Sequence, residues 1–126
     1  AIEPMKDRVK IIGEVDEATK HIWYEAASVF CFPSLMEGFG LPIAEAMSHG
    51  TPVVTSSTTA TSEVAGDAAL LIDPKSADVI AESIKEILNN AELAEELSTK
   101  GLDRAKKMTW ENTALVTAGI YREMVK

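Results

Sequence analysis

Two carboxylates, Glu37 and Glu45, stand either side of a Gly38-Phe39-Gly40 turn, with seven residues between them. Two glycines around an aromatic let the backbone turn sharply and bring its N–H groups against a ligand. From about Leu41 or Pro42 the chain reads as a short helix, since Pro42 suits a first turn and Gly50 a stop. The unpaired N–H groups and positive dipole end of such a helix suit a diphosphate, whose charge they stabilise without a metal. The chemistry in view is the holding of a sugar nucleotide. Taken singly, each Glu has a plainer reading. A carboxylate in a first helical turn is favoured by the dipole in any protein, and Glu37 reads equally as a solvated loop residue.

The elements that must position these residues form an α/β pattern. Short β-branched runs over residues 9–12, 28–32, 52–55 and 69–72 read as four strands. A helix is expected over 16–27, with Asp16 as N-cap and Ala18, Ile22 and Ala26 forming one apolar face. Strands alternating with helices at short connections imply a mostly parallel, Rossmann-like sheet. Pro33-Ser34 then ends the second strand at its carboxyl end, the edge where ligands bind in open α/β sheets. The Ser/Thr run Thr55, Ser56 and Ser57 is expected at the same edge. From residue 76 the pattern is helical only. Ser76 caps a helix facing inward with Val79, Ile80, Ile84, Ile87 and Leu88. A second helix spans 91–108 with Leu93, Leu97, Ala105 and Met108 inward, interrupted in pattern by Gly101. A third starts at Thr109 and carries Trp110, Ala114, Ala118, Tyr121 and Val125. The expectation is one domain over 1–126, with strand–helix units over 9–74 and helices over 76–126.

Composition narrows the function. The chain has 126 residues, 46% hydrophobic and 25% charged, with a formal net charge of −8. That balance argues against nucleic acid as a partner and against docking on anionic membranes. The basic cluster Arg104, Lys106 and Lys107 reads as cations complementing a helix C-terminus. His21 and His49 lack ligand-spaced neighbours, so no metal or cofactor is expected. Cys31 lies in an apolar run and reads as a small hydrophobe rather than a nucleophile. A lone cysteine, no bilayer-length apolar run and no hydrophobic signal core in AIEPMKDR together point to a reducing, cytoplasmic compartment.

The whole run from Phe30 to Ser56, FCFPSLMEGFGLPIAEAMSHGTPVVTS, resembles the donor-binding heart of retaining GT-B glycosyltransferases of the glycogen synthase and sucrose synthase type. The likeness continues through Ser62-Glu63-Val64-Ala65-Gly66-Asp67 to Asp73-Pro74, and on to Thr109-Trp110-Glu111 and Tyr121-Arg122-Glu123. It implies a nucleotide-sugar donor, with Glu37 on hydroxyls of the transferred sugar as the catalytic residue. It implies Glu45 on the ribose, and Gly38, Phe39, Gly40 and Leu41 against sugar and phosphate. In such enzymes transfer with retention proceeds by front-face attack through an oxocarbenium-like state, the leaving diphosphate helping to deprotonate the acceptor. Retaining glycosidases differ, their paired carboxyls lying about 5 to 5.5 Å apart across the scissile bond. One departure stands out. The family often has Leu-Pro before the Glu at 63, whereas this chain has Thr61-Ser62.

The resemblance also implies that a complete enzyme carries an acceptor-side domain, further strands and phosphate-contacting Arg and Lys residues that do not precede Val9 here. This chain alone is then expected to be inactive. Its strand over 9–12 is expected either to pair directly with the strand at 30–32 or to complete its sheet with another copy, giving a dimer or swapped oligomer. A non-catalytic interaction module of the same fold is the competing reading. A nicotinamide-type domain is disfavoured, because Gly13-Glu14-Val15-Asp16 supplies no Gly-x-Gly-x-x-Gly turn.

Overall fold

A computed structural model describes residue 5 and residues 7–125. Three parallel strands, β1 (Phe30–Phe32), β2 (Val53–Ser56) and β3 (Ala69–Ile72), lie in chain order, with Phe30 opposite Val53 and Val53 opposite Ala69. Parallel neighbours need a crossover, and α2 (Leu41–Ser48) and α3 (Thr59–Ala65) provide the two. The remaining helices are α1 (Glu17–Ala26), α4 (Ala77–Asn89), α5 (Ala91–Ala105) and α6 (Trp110–Met124).

The central strand is wholly buried, and its alternation divides the core. Val53 packs with Tyr24, Ile43, Ala46, Met47, Val64 and Ala65, beneath the crossover helices. Val54 points to the other face and packs with Ile72, Ile87 and Leu97. Helix α5 reaches both layers. Its Leu97 joins the second cluster, while Gly101 one turn later is buried against Met47, whose Cγ would lie 3.2 Å from a Cβ placed there. The glycine that interrupts the apolar pattern thus lets α5 lie close against α2.

Capping follows the sequence. Asp16, Ser76, Asn90 and Thr109 each accept a hydrogen bond from the backbone N–H three residues on, at 2.9, 3.3, 3.1 and 3.1 Å. Four expectations are corrected. Residues 9–12 form no strand and join no sheet among the described residues, the Val9 N–H turning back to the Met5 carbonyl at 3.0 Å; Ile11 is 82% exposed. Without a ladder neighbour the segment gains no strand hydrogen bonds, and β1 remains an edge. Ala18, Ile22 and Ala26 face solvent rather than a core, and the buried residue of α1 is Tyr24. On α4, Val79 and Leu88 are exposed, and Ile87 is the one fully buried member of the expected face. Helix α5 stops at Ala105, short of 108, and α6 buries no residue.

Candidate functional site

The turn between β1 and α2 is tied to the carboxyl edge of the sheet by hydroxyl groups. Thr55 Oγ1 donates to the Phe32 carbonyl at 2.9 Å, and Ser56 Oγ to the Ser34 carbonyl at 2.6 Å. Thr61 Oγ1 in turn donates to the Ser56 carbonyl at 2.9 Å. Thr55 and Ser56 therefore sit at the expected edge, but fully buried and used internally, while Ser57 is exposed. Their work is to pin the strand end from which the turn departs. Ser34 passes this order on, its Oγ donating to Glu37 Oε1 at 3.0 Å.

Glu37 is half-buried at the mouth of the turn. Gly40 is buried, with φ of 95°, a left-handed conformation that L side chains rarely adopt, and a Cβ there would meet Ile43 Cδ1 at 3.1 Å. It serves as N-cap of α2 without a side-chain acceptor, and Pro42 has no N–H to satisfy. Ile43 N–H donates to the Gly40 carbonyl at 3.0 Å, so among the first residues of α2 it is the Leu41 N–H that has no acceptor among the described residues and is open to an outside one. Gly38, Phe39 and Leu41 are exposed, and together with Met108, Trp110 and Thr113 they line a cleft of about 870 Å³. Neither Glu37 nor Glu45 lines that cleft.

Glu45 faces α1 instead. Lys20 Nζ lies 2.9 Å from Oε1, and the Tyr24 hydroxyl donates to Oε2 at 2.9 Å. Hydrogen bonding to Glu45, then to Glu17, raises the Lys20 ammonium above its ordinary range. Burial first, and then the bond to Glu45, pushes the Tyr24 phenol up to about 12. Sequence reading did not single out Lys20 or Tyr24. Their only signal is four-residue spacing on one helix face, a pattern most helices contain.

The other candidates resolve quietly. Cys31 lies within β1, half-buried, with its thiol pushed up by burial. His49 stacks on Tyr24 with ring centroids 5.8 Å apart, and its Nδ1 lies 3.4 Å from Glu25. Among the described residues no His, Cys, Asp and Glu cluster has the makings of a metal site, and no helix is long and apolar enough to cross a membrane. Arg104, taken as a dipole partner of its own helix, reaches across to the Glu63 and Val64 carbonyls at the end of α3.

Comparison with known proteins matches residues 3–104 to a family model described as glycosyl transferases group 1. O-antigen chain mannosyltransferase B of Escherichia coli is 41% identical over 114 residues, which cover 90% of this chain and 30% of that protein. A phosphatidyl-myo-inositol mannosyltransferase of Mycolicibacterium smegmatis is 34% identical over 117 residues, again 90% of this chain and 30% of the relative. Among solved structures, a sucrose-phosphate synthase from Thermosynechococcus elongatus superposes with a TM-score of 0.87 at 32% identity, over 98% of this chain and 32% of that one. The chain therefore spans just under a third of the length of these relatives.

Proposed function

The chain belongs to the glycosyl transferases group 1 family, and from that premise we propose that it is the donor-binding part of a retaining hexosyltransferase that takes a nucleotide sugar. The observation that carries the reading is the Gly38–Gly40 turn, set at the carboxyl end of β1 with an uncapped helix start behind it and one Glu on each side. The open Leu41 N–H and the positive dipole end of the helix start favour a diphosphate, and a carboxylate accepts two hydroxyl donors at once.

In this reading Glu37, oriented by Ser34, accepts hydroxyls of the transferred sugar near the reacting carbon. Glu45 accepts the ribose hydroxyls, and the amides of Gly38, Phe39, Gly40 and Leu41 lie against sugar and diphosphate. No protein nucleophile and no metal enter the scheme. The names of the two bacterial relatives make a mannosyl group the first sugar to try. The acceptor lies outside the reading, and a part spanning under a third of its relatives is proposed to bind donor without turning it over.

The test is the melting temperature of the chain against UDP-, GDP- and ADP-sugars at high concentration, since a ligand of the folded state stabilises it by mass action. A rise with one base, lost in both Glu37→Gln and Glu45→Gln, is the expected result. A rise that survives both substitutions sinks the assignment. The interaction-module reading has one observation in its favour, the exposed apolar side chains of α6, and it predicts no shift with any sugar nucleotide.

A further inference from the structure

Resting on the reading of Glu45 as the ribose carboxylate, we propose that Lys20 and Tyr24 are positioning residues that orient this carboxylate toward the vicinal diol of a nucleoside diphosphate. A carboxylate has two oxygens and about four lone-pair directions. Lys20 Nζ takes one direction on Oε1 and the Tyr24 hydroxyl one on Oε2, each at 2.9 Å. Together they fix the tilt of the carboxylate plane and leave one direction free on each oxygen. That remaining pair is what two adjacent ribose hydroxyls need.

Both partners are themselves held. Tyr24 is 9% exposed, its ring packed edge-on against Phe30 at 5.3 Å and stacked on His49, and its carbonyl accepts from Thr51 Oγ1 at 2.7 Å. Its hydroxyl has a fixed aim. Lys20 is steadied by a second carboxylate, Glu17, at 2.9 Å. The side chains of Lys20 and Glu45 are 28% and 35% exposed, so the pair is shielded but open on one side. Lys20 adds a further effect that Tyr24 does not. Its ammonium offsets the negative charge of Glu45, which would otherwise repel the donor's diphosphate.

The experiment is isothermal titration of the chain with ADP, GDP and UDP and with their 2′-deoxy counterparts, for wild type, Lys20→Met, Lys20→Arg and Tyr24→Phe. The wild type is expected to prefer one ribonucleotide over its deoxy form by about tenfold, the scale of a charge-assisted hydrogen bond. Lys20→Met and Tyr24→Phe should each bring that ratio close to one, and Lys20→Arg should keep most of it. Tyr24→Phe retains the ring contacts and so tests the hydroxyl in a folded chain. A purely structural tether between α1 and α2 would lower affinity for both forms equally. Persistence of the wild-type ratio in Lys20→Met and Tyr24→Phe overturns the positioning role and leaves the donor reading standing. A wild type that binds none of the six nucleotides, or binds ribo and deoxy forms alike, overturns the ribose assignment of Glu45 and this proposal with it.

Discussion

Thr59 is the only non-glycine residue with positive φ among those described, at 60°. For a β-branched residue the left-handed region is crowded by its own Cβ, at a cost of roughly 1–2 kcal/mol. Thr59→Gly should relieve that crowding, and after the entropy that glycine loses on folding a net gain of up to about 1 kcal/mol should appear in urea denaturation. A second effect belongs to Tyr24. Its phenol is raised from 10.0 to about 12 in the folded chain, so the protonated form is favoured by folding. The stability this contributes is complete below pH 10 and is lost as pH climbs through 12. Lys20 shifts in the same direction and adds to the loss. Alkaline titration of Tm should therefore show a decline between pH 10 and 12 that is shallower in Tyr24→Phe. Neither residue was legible as important from sequence. Glu37, Glu45 and the glycines of the turn stood out as candidates, because backbone freedom and charge cluster there within a dozen positions. The partners of Glu45 lie 21 and 25 residues away, and such a contact leaves no local pattern.

Elements were legible where their signal is local. The caps Asp16, Ser76 and Thr109 announce helices within three residues, and the hydrophobic runs of β1, β2 and β3 announce strands. The run at 9–12 is likewise rich in β-branched residues, yet it lacks a neighbour to pair with, and strand formation is decided by the neighbour. Helix α3 escaped notice because Thr58, Thr59 and Thr61 look strand-like. Its start is organised instead by the Thr61 hydroxyl, which donates to the Ser56 and Thr58 carbonyls. At its other end Arg104 of α5 donates to the Glu63 and Val64 carbonyls, its guanidinium lying where a Cβ on Gly66 would be, 2.6 Å from Cζ. Arg104→Ala should cost about 2 kcal/mol by leaving those carbonyls without a charged donor. Gly66→Ala should cost a similar amount, since φ there is 56° and the arginine must move. Measured by chemical denaturation, the two substitutions together should cost less than their sum, because both disrupt one contact. At the seam between α2 and α5, Gly101→Val should destabilise by about 1–3 kcal/mol through overpacking on Met47.

At the scale of the whole molecule the helices are unequal. Helix α6 buries nothing, with Trp110 83% and Leu115 65% exposed. Removing residues 110–125 should shift the unfolding free energy by no more than about 0.5 kcal/mol, and amide exchange in α6 should be fast beside that in β2. We expect the same exposed face and the open edge of β1 to give a mass that rises with concentration in light scattering; a constant monomer mass would refute that. The sheet also bears on the order of assembly. Its strands lie side by side in the order they occur in the chain, each joined to the next by one short crossover, so a chain leaving the ribosome can lay them down in turn with little loop closure. Arg104 stands 40 and 41 residues beyond its acceptors. Synthesis at roughly 5–20 residues per second separates them by a few seconds, so the last turn of α3 gains its charged cap only after α5 has been made.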